Sequence, residues 1–305
     1  MRVLVTGANG YLGRAVAVAL DRAGHEPIAM VRTADSSIRT ATRVADVLDE
    51  ADLREALAGV EAVCHLAGLT RARESQADPL RYFRVNASGT ITLLAAMAAA
   101  DVPRIVFAST GSIYGTPERQ PMTEDLPDTP PHPYAASKLA AELAIQAQAQ
   151  TGGLSAVVLR LLNVAGGSDP DPTRLIPRAL AAARDRSTLE INGDGRTIRD
   201  YLHIIDAAAA FVACVENMPP LGRATRYNIG SGHGTSILDV VTAVERVTGH
   251  HIRIAHRPPA SEPAALISNP SKAIAELSWS PTHSDIDSIV RDTWHNLKRQ
   301  EAGDL

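Results

Sequence analysis

The sequence predicts an α/β fold, a doubly wound parallel sheet joined to a smaller, discontinuous C-terminal region. Short β-branched runs alternate with segments of helical period through the first half of the chain. Those runs are apolar without polar alternation, as strands covered on both faces must be. Between the first run and the first helical segment lie Gly7, Gly10 and Gly13.

Residues 2–6 are the first strand, 14–24 a helix of small and apolar residues, and 27–31 the second strand. Buried strands are expected over 60–67 and 104–109, separated by helices near 52–58 and 88–100. Residues 135–150 form a long alanine-rich helix, and 156–162 return as a strand. Past Asn163 the alternation loosens. Pro, Gly and Asp gather at 166–172, 192–196 and 257–270, as expected where a second region closes over a ligand.

The 305 residues are 45% hydrophobic and 21% charged, enough for a sizeable core. A net charge of -4 gives no reason to expect nucleic acid or an anionic membrane as partner. A strand starting at Arg2 leaves no room for a secretory leader. The longest apolar stretch, 207–215, falls short of the ~20 residues that cross a bilayer. Cys64 and Cys214 lack metal spacing and read as buried reduced thiols, so a cytoplasmic protein without a metal site is expected.

After the first strand the backbone must turn tightly, approach a diphosphate and begin a helix packed closely on the sheet. Glycine at 7, 10 and 13 removes the Cβ atoms that would obstruct these tasks, and the helix N-terminus then faces the phosphates. This placement defines a Rossmann-type dinucleotide site. An acidic residue ending the second strand would hold the adenosine ribose, but here the strand ends Val31-Arg32. NAD is the expected cofactor and NADP stays open: Arg32, near Ser36 and Ser37, reads either as a 2′-phosphate ligand or as a solvated surface arginine. Asp46-Val47 can address the adenine, and Asp46 can equally cap a turn.

Tyr134 and Lys138 stand four apart on the long helix and share a face, so the ammonium can favour the ionised phenol. To act as a base near neutrality the phenol must come down from about 10 to near 7, with help from the lysine and an oxidised nicotinamide. Upstream, Ser109-Thr110-Gly111-Ser112 ends a strand. The Thr110 hydroxyl can bridge a substrate oxygen to that phenolate, or simply cap the next turn.

With these motifs stand His65-Leu66-Ala67-Gly68-Leu69, Asn86-Ala87-Ser88-Gly89-Thr90, Leu159-Arg160-Leu161-Leu162-Asn163, Arg199-Asp200-Tyr201-Leu202-His203 and Tyr227-Asn228-Ile229-Gly230. The ordered set resembles the extended short-chain dehydrogenase/reductase superfamily, and most closely its UDP-glucose 4-epimerase family, nearly end to end. The resemblance implies that Thr110 and Tyr134 meet the sugar hydroxyl being oxidised while Lys138 binds the nicotinamide ribose. It implies cofactor contacts at Gly7, Gly10, Tyr11, Leu12, Gly13, Arg32, Asp46, Val47, Leu66, Ala67, Gly68, Asn86, Tyr134, Lys138 and Leu162. On the substrate side it implies Asn163, Leu175, Glu190, Ile191, Asn192, Arg199 and Arg257. Arg199 resembles a diphosphate-binding arginine, and its alternative is an ion pair with Asp200 or Asp206.

The chain departs from that family at Val31, at Leu161-Leu162 where aromatics are usual, in the short stretch between Asn163 and Leu175, and at Arg257-Pro258-Pro259-Ala260. On this basis residues 1–164, with returns near 185–205 and 227–253, are assigned to dinucleotide binding, and 165–184, 206–226 and 254–305 to the substrate. Related dehydratases and decarboxylases place acidic residues beside the catalytic threonine, whereas Gly111-Ser112 follow it here. That leaves a nucleotide-sugar 4-epimerase, with a UDP-sugar favoured. An NAD(P)H-dependent 4-keto-sugar reductase is the alternative, and a non-catalytic NAD(P) sensor the reading from another class. The Ala-rich helices at 88–100 and 135–150 resemble those of the family's homodimer.

Overall fold

The structure is a computed structural model and describes residues 1–260 and 262–302. The first half of the chain runs β1 (Arg2–Thr6), α1 (Tyr11–Arg22), β2 (Glu26–Val31), β3 (Ala41–Val44), α2 (Glu50–Ala56), β4 (Ala62–His65), α3 (Ala72–Ser75) and α4 (Pro79–Tyr82). A π-helical segment, Phe83–Ser88, leads into α5 (Gly89–Ala99). There follow β5 (Arg104–Thr110), a 3-10 turn (Gly111–Tyr114), α6 (Pro133–Gln150) and β6 (Ser155–Leu161). The second half comprises β7 (Asn163–Ala165), α7 (Leu175–Asp185), β8 (Thr188–Asn192), β9 (Ile198–His203), α8 (Ile204–Glu216), β10 (Ala224–Ile229) and β11 (Gly234–Ser236). It closes with α9 (Ile237–Thr248), β12 (Arg253–Arg257), β13 (Ala265–Leu266), α10 (Ser271–Leu277) and α11 (Ile286–Glu301).

Seven strands form one parallel sheet in the order β10-β6-β5-β4-β1-β2-β3. Its central strands are largely apolar because both faces are covered: Val3, Val5, Cys64, Val106 and Ala108 enter the core shared with α1 and α8. Leu4, Val63, Ile105 and Phe107 enter the core shared with α2, α5 and α6. From β1 the chain winds toward β3, and from β4 toward β10, so the sheet reverses between β1 and β4. Such a reversal opens a crevice at the carboxyl ends of the strands.

Beyond that sheet, β9 pairs with β7, β11 and β13, and β8 pairs with β12. A third core, with Ile176, Leu180, Ile191, Val240, Val244 and Ile289, joins α7, α9 and α11 to β8. The expected division of the chain shifts accordingly. β8 and β9 belong to these smaller sheets, and α9 packs in the third core. Conversely α8 buries Ala207, Ala208, Phe211 and Cys214 against the large sheet. Its position follows from β10, which lies parallel to β6 and must be reached by a helical crossover. Among the described residues no helix is long and apolar enough to cross a membrane, and both cysteines are buried and unpaired.

Candidate active site

A cavity of about 1300 Å³ occupies the crevice at the carboxyl ends of β1, β4, β5 and β6. One wall is built almost wholly by local backbone. Gly7 has φ +68°, and a Cβ there would stand 2.9 Å from the Ala67 N and Cα; at Gly13 it would stand 2.9 Å from the Ala8 Cα. These glycines let the loop lie flat against Leu66-Ala67 and α1 begin close to the sheet. No side chain caps α1 at Gly10, so its first amides face the cavity, a cradle that fits a dinucleotide diphosphate.

Tyr11, Leu12, Leu66, Ala67, Gly68 and Leu162 line the same wall, and Val31, Arg32, Asp46 and Val47 line its far end. Asp46 borders the cavity and caps a turn, accepting the Leu48 amide at 2.9 Å. Arg32 is exposed at the rim. The Tyr11 hydroxyl donates to the Gly166 carbonyl, and the Arg174 guanidinium lies 5.5 Å from the ring centre.

Thr110, Tyr134 and Lys138 meet on the cavity wall. Thr110 ends β5 and accepts the Ser112 amide at 3.1 Å, so it caps a turn while its hydroxyl borders the site. Lys138 is buried; its ammonium donates to the Ala108 carbonyl at 2.7 Å and lies 4.6 Å from the Phe107 ring centre. Burial pulls the Lys138 ammonium down to about 8, against the upward influence of Glu142. Burial also raises the Tyr134 phenol above its ordinary value, opposed by the Thr110 hydroxyl and, more weakly, by Arg174. The lysine-driven lowering expected from the four-residue spacing is therefore not supplied in this geometry, because Lys138 is turned onto β5.

The opposite wall is made of side chains from separate elements of the smaller region, β7, α7 and β9. Asn163 is exposed to the cavity and donates to the Asp200 carbonyl at 3.1 Å; Leu175 opens α7 beside it. Arg199 donates to the carbonyls of Ile198 and Pro263 at 2.7 and 2.9 Å and pairs with Glu262 at 2.5 Å. Neither Asp200 nor Asp206 is its partner. Asp200 instead accepts the amides of Ser231, Gly232 and Ser268, and Asp206 accepts the His283 amide and the Ser284 hydroxyl.

Five of the residues singled out in the sequence do not line the cavity. Asn86 is buried behind Gly68, bonded to both the amide and the carbonyl of Leu69. Ile191 is in the third core, Asn192 pairs with β12, and Glu190 forms an ion pair with Arg257 on the surface.

Others line the cavity without having been singled out. His132 caps α6, accepting the Ala135 amide at 3.1 Å, and its ring stacks on Tyr134 at 5.8 Å, tilted by 14°. The His132-Pro133 pair was legible as a helix start, since proline favours the first helical position. Arg174 and Glu262 line the mouth, and Tyr82, buried behind the lining, meets the Tyr134 ring edge-on at 6.4 Å. No local motif marks these three.

The parallel sheet, the glycine cradle and the Thr110/Tyr134/Lys138 group define a dinucleotide-dependent enzyme that oxidises or reduces a carbon bearing oxygen. The model of the NAD dependent epimerase/dehydratase family matches residues 3–230, and the chain belongs to that family. The UDP-glucose 4-epimerase of Corynebacterium glutamicum is 37% identical over 314 residues, covering 96% of this chain and 95% of its own. That of Azospirillum brasilense is 36% identical, covering 99% and 94%. Among solved structures, the UDP-glucose 4-epimerase of Brucella ovis in complex with NAD superposes with a TM-score of 0.91 at 35% identity, over 97% of this chain and 98% of the other. The Stenotrophomonas maltophila enzyme with bound NAD and formylated UDP-arabinopyranose gives 0.93 at 29% identity, over 99% of each chain.

Proposed function

We propose that the protein is a nucleotide-sugar 4-epimerase acting on a UDP-sugar by transient oxidation at C4. The observation that carries this reading is a single cavity with a glycine cradle on one wall, Thr110, Tyr134 and Lys138 at its centre and Arg199 on the opposite wall. Gly111-Ser112 follow Thr110, so no acidic pair at this strand end offers dehydration or decarboxylation. When bound, the nicotinamide takes up and returns a hydrogen with its electron pair at C4.

Tyr134 receives the proton of the C4 hydroxyl and later gives it back, and Thr110 bridges the two oxygens. Lys138, whose ammonium donates to the Ala108 carbonyl, holds the cofactor ribose. Arg199 exchanges Glu262 for the substrate diphosphate, whose greater charge and several oxygens suit a guanidinium better than one carboxylate. Asn163 and Leu175 support the nucleotide side. In this division the large sheet carries the cofactor, and β7, β9, β13 and α7 carry the sugar nucleotide.

Exposed Leu80, Ile91 and Leu143 on α4, α5 and α6 support a homodimer through these helices, and the buried thiols support a reducing, cytoplasmic setting. The Val31-Arg32 strand end favours the second reading, a 4-keto-sugar reductase using NADPH. Supplying UDP-glucose or UDP-galactose with a trace of NAD+ separates the two. The epimerase reading requires interconversion without net cofactor consumption; absence of interconversion, with stoichiometric consumption of NADPH on a 4-keto substrate, overturns it.

A further inference from the structure

Between the glycine loop and the catalytic helix runs a string of five buried polar side chains: Thr6, His65, Thr90, Asn86 and Ser137. The Thr6 Oγ1 lies 2.7 Å from the His65 Nδ1 and accepts the amides of Leu66 and Ala67 at 3.1 and 3.0 Å. The His65 Nε2 lies 3.0 Å from the Thr90 Oγ1, which donates to the Asn86 carbonyl at 2.7 Å. The Asn86 carboxamide accepts the Leu69 amide at 2.8 Å and donates to the Leu69 carbonyl and to the Ser137 Oγ, both at 3.0 Å. Ser137 donates to the carbonyl of Tyr134 at 2.8 Å.

Counting protons fixes the tautomer. Thr90 has one hydroxyl proton and gives it to Asn86, so the His65 Nε2 must donate to Thr90. The Thr6 oxygen spends its two lone pairs on Leu66 and Ala67, so its proton goes to an unprotonated Nδ1. The opposite tautomer leaves the Thr6 proton without an acceptor, and an imidazolium sets two protons against each other. Burial agrees, pulling His65 down to about 3.

The string grips Leu66-Ala67-Gly68-Leu69 at both ends, through Leu66 and Ala67 before Gly68 and Leu69 after it. A Cβ on Gly68 would stand 2.9 Å from the Asn86 Oδ1 and 3.4 Å from the Lys138 Nζ, so this strap lies between the glycine loop and α6 with little slack. We propose that His65, held neutral with its proton on Nε2, is a positioning residue that sets the strap's seat between the glycine loop and the catalytic helix, and thereby the retention of the dinucleotide. This rests on the dinucleotide part of the functional reading and not on the identity of the sugar.

The test uses the full chain loaded with NAD+, labelled with 15N-histidine, together with His65→Gln, His65→Leu and Thr90→Val. Glutamine can still accept from Thr6 and donate toward Thr90; leucine can do neither. The wild-type His65 signal, assigned by its loss in His65→Gln, is expected to show a protonated Nε2 and a bare Nδ1 across roughly pH 5 to 8. His65→Leu and Thr90→Val are expected to speed NAD+ release at least about tenfold, with His65→Gln recovering part of the loss. A protonated Nδ1, or unchanged release from a folded His65→Leu or Thr90→Val protein, overturns the proposal. If His65→Leu does not fold, Thr90→Val and the wild-type tautomer decide. Neither readout involves a sugar nucleotide, so failure here is distinct from failure of the epimerase reading.

Discussion

The two walls of the cavity are built by different means. The cofactor wall is backbone, with Gly7, Gly10, Gly13 and Gly68 held by the ends of adjacent parallel strands and by the start of α1. The opposite wall carries charged side chains from separate segments, each already engaged: Arg199 of β9 with Glu262, and Arg174 before α7 with Asp169. The first wall is preorganised and needs no rearrangement to receive a diphosphate. The second must exchange internal partners for ligand, so its affinity is a difference between two ion pairs. Changes on the first wall should therefore cost cofactor binding, and changes on the second substrate binding.

The largest effect is expected at the junction of the walls. Tyr134→Phe keeps the ring contacts with His132 and Tyr82 and removes only the proton-transfer group. It should bind NAD+ normally and lose turnover by on the order of a hundredfold or more, measured as kcat. Gly7→Ala forces a Cβ against Ala67 in a backbone conformation that L side chains rarely adopt, and should weaken NAD+ by about tenfold or more in calorimetry. Arg199→Ala should raise KM for the sugar nucleotide by about tenfold or more with NAD+ affinity unchanged. Equal losses of both ligands would erase the distinction between the walls.

The pH dependence follows from Lys138. Its buried ammonium titrates near 8, so the charged fraction falls as pH rises through that value. Turnover should decline on the alkaline side, and Lys138→Arg, which stays charged, should flatten that limb in a kcat profile while lowering kcat overall. Smaller still, Glu262→Gln frees Arg199 from its competing carboxylate and should tighten UDP binding by about two- to fivefold. Arg257→Ala should change UDP binding by less than about twofold, since Arg257 pairs with Glu190 away from the cavity.

How much of this was legible in the sequence depends on which wall is considered. Strand β1, the glycine loop and α1 follow from a few consecutive residues, because β-branched runs, positive φ at Gly7 and helical spacing are local constraints. Tyr134 and Lys138 were readable for the same reason, being one helical turn apart. Arg199 was recognisable as a cavity cation, yet its partner Glu262 lies 63 positions further along and belongs to a loop with no periodic signal. Glu190 and Arg257 point away because β8 pairs with β12 in register, bringing the two to one outer face. Strand pairing across 60 or more residues is set by packing rather than local pattern. The placement of α8 against the large sheet and of α9 in the third core escaped for the same reason: α8 is apolar nearly all round and α9 on one face, and only the tertiary partner distinguishes their destinations.

The central claim is that one enzyme-held cofactor both oxidises and reduces the same sugar carbon. It is tested most directly with UDP-galactose carrying deuterium at C4, turned over by the holoenzyme in the presence of excess unlabelled NADH. UDP-glucose that keeps the deuterium at C4 is the expected product, because the hydrogen returns to the carbon from which it came. Loss of the label to the free cofactor pool, or no C4-inverted product, would contradict it.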